Sequence, residues 1–107
     1  MLILFHSKLT KPQGMSDREF FGVWAEEGRA ALSAPPEILK GIWKVAGQQE
    51  VFVLFDVEHP DQLDALLAEL PIYKKGYANM VETRYHLLTP YENWVELMET
   101  MAGRAGG

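Results

Sequence analysis

The run Gly41-Ile42-Trp43-Lys44-Val45-Ala46-Gly47-Gln48-Gln49-Glu50-Val51-Phe52-Val53-Leu54-Phe55-Asp56-Val57 constrains this chain more than any other segment. Two β-rich stretches flank a glycine-containing turn. The second ends on Asp56, shortly before the helix-starting sequence His59-Pro60-Asp61. A hairpin that feeds a helix fixes the middle of the fold.

Local signals place the rest. Met1 to Leu9 reads as a first strand, closed by Lys11-Pro12-Gln13-Gly14. Ser16 and Glu19 form a capping box that opens a helix from Asp17 to Ser33, which Ala34-Pro35-Pro36 ends. Strands two and three are Leu39 to Ala46 and Val51 to Asp56. A second helix, Pro60 to Glu69, carries the apolar stripe Leu63, Leu66, Leu67 and Leu70. Leu70 to Gly76 reads as an irregular connection and Asn79 to Leu88 as a fourth strand. Tyr91 to Met101 reads as a C-terminal helix, with Gly103 to Gly107 frayed.

The order β-α-β-β-α-β is the ferredoxin-like split unit. The expected α+β fold is a four-stranded antiparallel sheet with two helices on one face and an extra C-terminal helix. One domain over 1–102 and a flexible tail over 103–107 follow from this reading. The other sheet face mixes Leu2, Leu4, Phe52 and Leu54 with polar residues and needs cover. A homo-oligomer, dimer or higher, assembled sheet to sheet is expected, with the Met98–Met101 segment packed on a partner subunit.

Composition removes several function classes. Ten basic residues against fifteen acidic give a net charge of -5, opposite to the surplus a nucleic-acid binder carries. The absence of cysteine excludes disulfides, thiolate metal sites and cysteine nucleophiles. His6, His59 and His86 lack metal-ligand spacing, so no metal is expected. The apolar opening stops at His6, too short for a signal core or membrane span, so a cytoplasmic protein without membrane attachment is expected.

The chemistry falls on the first helix. At 3.6 residues per turn, Phe20, Val23, Trp24, Glu27 and Ala31 share one face. Glu27 therefore stands inside an apolar stripe, where a carboxylate is costly unless paired or functional. It could reach solvent past Gly28 and Ala31, or pair with a lysine. As a desolvated carboxylate it would have a raised pKa suited to moving a proton next to a carbonyl. Glu26 lies at the margin of the stripe. His6 reads either as a structural hydrogen-bonder or as a donor to a substrate carboxylate or enolate oxygen. Lys8 shares its face and could anchor an anion. Trp24 and Trp43 read as core or pocket walls.

The segments Ile42-Trp43-Lys44, Gly47, Phe55-Asp56-Val57 and Leu70-Pro71-Ile72-Tyr73, with the opening Leu4-Phe5-His6, resemble the muconolactone isomerase family over about the first ninety residues. The resemblance implies a dimeric α/β-barrel relative of ferredoxin-like fold, working without a cofactor on a small molecule. It also implies a helix-borne glutamate as the proton-transfer residue. An ungapped count back from Trp43 puts that role on Glu26, whereas helical phase puts it on Glu27. The Pro35-Pro36 loop leaves room for a one-residue gap, which favours Glu27 with Glu26 second. Tyr73 and Gln49 then become substrate-binding candidates beside Trp24, Trp43 and Lys8. Gln49 stands where the family has a tyrosine. The stretch Ile72-Tyr73-Lys74-Lys75-Gly76-Tyr77 carries an insertion, and Leu88-Thr89-Pro90 replaces the family's Arg-His-Pro ending.

The expected activity is a cofactor-independent isomerase that shifts a double bond in an unsaturated lactone or related carbonyl compound. Two alternatives stand beside it. One is a polyketide-type cyclase or cofactor-free monooxygenase acting on a larger apolar substrate. The other is a non-catalytic oligomer that binds a small molecule.

Overall fold

A computed structural model describes residues 1–106 of the chain. The elements run β1 (Leu2–Leu9), α1 (Asp17–Leu32), β2 (Leu39–Lys44), β3 (Glu50–Asp56), α2 (Pro60–Ala68), α3 (Pro71–Lys74), β4 (Val81–Leu88) and α4 (Tyr91–Gly106), with a 3-10 turn at Ala78–Met80 before β4. The four strands form an antiparallel sheet in the order β2-β3-β1-β4. This is the expected ferredoxin-like α+β arrangement.

Alternation along β1 decides which face holds the core. Ile3, Phe5, Ser7 and Leu9 are buried, while the residues between them are not. Phe5, with Ile3, Val53 and Phe55, packs on Leu63 and Leu67 of α2. Leu9 packs with Phe20 and Val23 of α1 and with Ile72 and Met80. Both long helices of the body therefore cover one face of the sheet. Burying a side chain such as Phe20, 1% exposed, contributes about 1.5–3 kcal/mol.

The caps explain where the elements begin. Ser16 is the N-cap of α1, and the Glu19 backbone N–H donates to its hydroxyl at 3.1 Å. Gly47 turns the β2–β3 hairpin at φ +77°, a conformation that costs glycine nothing. Gly41 has a different reason. The Trp43 ring lies over it, and a Cβ there would collide with that ring.

Several expectations about extent are corrected. β2 stops at Lys44, two residues short of Ala46, because the hairpin turn begins at Val45, whose N–H donates to the Glu50 carbonyl at 2.9 Å. The connection after α2 is not irregular throughout, since Pro71–Lys74 forms a helical turn. α4 runs on through the expected frayed segment to Gly106, and Gly107 lies outside the described residues.

α4 leaves the body. Tyr91, Trp94, Leu97 and Met101 are each at least 40% exposed, and the helix packs closely on no other described element. The radius of gyration of 18.0 Å shows the same thing, since a compact chain of this length would have about 13 Å. No helix among the described residues is long and apolar enough to cross a membrane.

Candidate active site

Between α1, α3 and the covered face of the sheet lies a cleft of about 740 Å³, part of it open to solvent. The strands supply Phe5, Ser7, Val53 and Phe55 as its floor, and α1 supplies Trp24, Glu27 and Ala31 as its roof. Its walls are mostly apolar. Among the described lining residues, the ionisable side chains are Glu27 and Tyr73.

Glu27 is the centre of this arrangement. The helical stripe that buries Phe20 and Val23 carries Trp24, Glu27 and Ala31 on into the cleft. Its Oε1 accepts the backbone N–H of Ile72 at 3.0 Å. Ile72 sits in the first turn of α3, where N–H groups lack partners within the helix, and Leu70 at the N-cap has no side chain able to accept. Glu27 fills that vacancy from across the fold. Burial pushes its carboxyl above the ordinary value of 4.5; the Ile72 hydrogen bond opposes this and the nearby Glu26 charge adds to it.

Tyr73 follows Ile72 on α3 and lines the same cleft. Burial, and then the Glu27 charge, push its phenol up, so it is a neutral hydroxyl beside the carboxylate. Trp24 is held by Phe20 and Phe21, with ring centroids 5.9 and 6.4 Å away. Glu27, Trp24 and Tyr73 are thus the expected site residues that the fold brings together.

The other expected residues lie elsewhere. Glu26, one position round the helix, leaves the cleft and pairs with Lys75 at 2.6 Å, both side chains 49% exposed. Such a surface pair contributes ~0–1 kcal/mol. His6 and Lys8 are on the uncovered sheet face, because strand alternation sends them away from Phe5 and Ser7. There the His6 ring stacks on Phe52 at 4.3 Å, with Nε2 2.8 Å from Glu50 Oε1. His6, Lys8, Glu50, Glu82 and Arg84 line a separate, charged depression. The fold does not bring His6 and Lys8 to Glu27: within one chain the sheet stands between them. Trp43 pairs with Phe52 across β2 and β3, also on the uncovered side, and is 55% exposed. Gln49 is exposed in the hairpin turn, where its carbonyl accepts the Leu9 N–H at 2.9 Å. Neither lines the cleft.

Ser7 lines it and was not among the expected residues. It is 3% exposed, and its Oγ lies 3.0 Å from Thr83 Oγ1 on β4. When Thr83 donates, the Ser7 proton is free to point into the cleft. The clue was present in β1, where Ser7 is the one polar residue in the inward row of Ile3, Phe5, Ser7 and Leu9. The Ile72 N–H left no such clue, because it depends on α3 forming.

No group of three or more His, Cys, Asp or Glu among the described residues could hold a metal ion.

Comparison with known proteins gives a family. The profile described as muconolactone delta-isomerase matches residues 1–91. A crystal structure of muconolactone isomerase superposes with a TM-score of 0.67 at 21% identity, covering 84% of this chain and 90% of that one. The 5-chloro-2-hydroxyhydroquinone dehydrochlorinase from Burkholderia phenoliruptrix AC1100, in complex with 2,5-dihydroxybenzoquinone, superposes with a TM-score of 0.59 at 16% identity, covering 83% and 94%. At these identities the two structures establish a shared fold. Direct comparison with curated proteins yields no match.

Proposed function

Because the chain belongs to the muconolactone delta-isomerase family, we propose that it is a cofactor-independent isomerase that shifts a carbon–carbon double bond by proton transfer in an unsaturated lactone or related carbonyl compound. The observation that carries this reading is the Glu27 carboxylate, held by the Ile72 N–H in a mostly apolar cleft. A general base works best when its pKa approaches the working pH, and burial moves Glu27 in that direction.

In this mechanism the Glu27 carboxylate takes a proton from carbon next to the substrate carbonyl. The C–H electron pair moves into the conjugated system and charge develops on the carbonyl oxygen. The Ser7 hydroxyl, oriented through Thr83, donates a hydrogen bond to that oxygen. The protonated Glu27 then returns the proton to a more distant carbon, and the double bond has moved. Tyr73 and Trp24 hold the ring of the substrate between them. The names of the two similar structures fit such a substrate, one a lactone isomerase and the other bound to a quinone.

The functional unit is a homo-oligomer. The uncovered sheet face carries Leu2, Leu4, Phe52 and Leu54, and α4 presents Trp94, Leu97 and Met101, exposed and not closely packed on any other described element. Apolar surface of this extent favours association.

The test is proton exchange followed by NMR in deuterated buffer, using muconolactone and a set of larger unsaturated lactones and enones. Enzyme-dependent deuterium uptake beside the carbonyl, abolished in Glu27→Gln, is the expected result. A folded enzyme that promotes no uptake from any of them would sink the proposal.

A further inference from the structure

We propose that α4 of one chain docks on the bare outer strand of a second copy, over Tyr85 and Leu87 of β4, and that two copies exchange these helices about a two-fold axis. This names the contact behind the homo-oligomer reading and rests on that reading. Of the eleven large apolar side chains exposed among the described residues, seven fall between Tyr85 and Met101. The patch is continuous in sequence and has two halves, a strand without a helix over it and a helix without a surface beneath it.

Register defines the strand half. Tyr85 pairs with Phe5 and Leu87 with Ile3, so both stand on the covered face of the sheet. Phe5 and Ile3 are buried there, yet Tyr85 is 50% and Leu87 72% exposed. The helix layer stops short of this end of β4, and no helix packs closely on the strand.

Helical phase defines the other half. In α4, Tyr91, Trp94, Met98 and Met101 recur at intervals of three and four, with Leu97 and Ala102 on the flanks. This apolar sector spans roughly 140°, wider than the seam between two paired helices, and suits a broad surface. Glu92, Glu96 and Glu99 occupy the opposite side, which disfavours an anionic membrane as the occupant. A solitary helix of this length is marginal in water, so a docked state is needed to hold it. The chain does not seat α4 on its own strand. The helix follows β4 after Thr89 and Pro90 and runs outward, which stretches the molecule to 65 Å against 27 and 20 Å across. The family profile ends at residue 91, so α4 lies beyond the matched region.

A second copy carries what each half lacks, and a two-fold exchange fills both at once. Tyr85, Leu87, Tyr91, Trp94, Leu97 and Met101 together expose on the order of 700 Å² of side chain, close to the ~800 Å² per partner of a stable interface.

The chain has no cysteine, so single introduced cysteines report the contact. Leu87→Cys protein is mixed under mild oxidation with Trp94→Cys, Leu97→Cys or Met101→Cys protein, and with Glu96→Cys as the control from the polar side of α4. At least one of the first three is expected to form the mixed disulfide ~10-fold faster than Glu96→Cys, because docking holds the pair at high effective concentration. In the full chain, Trp94→Glu with Leu97→Glu on the helix, or Leu87→Glu on the strand, should each lower the mass found by light scattering to about half, with the fold retained by circular dichroism. Coupling to Leu87→Cys no faster than that of Glu96→Cys overturns the proposal, and so does an unchanged mass in either charged variant. An oligomer without the Leu87 crosslink would keep the association and remove this contact, whereas a parent protein that is monomeric by light scattering would remove both.

Discussion

On β1, Ile3, Phe5, Ser7 and Leu9 point beneath the helices, whereas Leu2, Leu4, His6 and Lys8 point to the uncovered side of the same sheet. The two faces are only a strand's thickness apart, yet they hold opposite environments. The covered face meets α1 and α2 and leaves an apolar cleft with one carboxylate in it. The uncovered face gathers His6, Lys8, Arg84, Glu50 and Glu82, with His6 Nε2 2.8 Å from Glu50 Oε1. Charge at an exposed surface costs little. Burial in the cleft raises the Glu27 pKa, the direction that the proposed proton transfer requires.

The sharpest way to break this comparison is to remove the cleft carboxylate and, separately, ionisable groups outside the cleft. Glu27→Gln keeps an oxygen for the Ile72 N–H but cannot take a proton. It should lower turnover by about 100- to 10,000-fold. Glu26→Gln and His6→Ala, measured in the same assay, should each change kcat by less than about threefold. A large loss in His6→Ala would show that the uncovered face takes part in catalysis after all.

Ser7→Ala comes next. Loss of one hydrogen-bond donor to a developing oxyanion costs about 100-fold in rate, and the loss should appear in kcat more than in KM. Thr83→Val, which removes the partner and leaves Ser7 in place, should cost less.

A smaller effect is expected in the pH dependence. Glu27 must be ionised to act, so kcat/KM should fall as pH drops through its raised pKa, at an acid limb above 4.5. Stability runs the other way. A folded-state pKa above the unfolded value gives a contribution that is present below 4.5 and lost as pH rises through the raised value. The melting temperature of Glu27→Gln relative to the parent should therefore be higher at about pH 8 than at about pH 4.

Association separates the faces without touching the cleft. Leu54→Glu places a charge on the uncovered side and should lower the mass found by light scattering, with the fold retained by circular dichroism. An unchanged mass would move the interface to α4, and truncation after Pro90 would then be the variant to measure.

Much of the fold could be read from short-range signals. The hairpin around Gly47, the Ser16 cap and the Pro60 start each act within a few residues, so neighbouring residues suffice to place them. Helical phase likewise separated Glu27 from Glu26, since a rotation of one residue carries a side chain from cleft to surface. Other features needed the assembled chain. His6 and Ser7 are neighbours in sequence, and their assignment to opposite sides depends on which sheet face the helices cover. The acceptor for Ile72 lies 45 residues away, and the turn of α3 that presents this N–H was itself unmarked. Sequence alone determined the four strands, the long helices and the face of α1, because backbone geometry repeats locally. Tertiary structure decided which face of the sheet is the cleft and which partner holds Glu27, because burial and long-range hydrogen bonds exist only once distant segments meet.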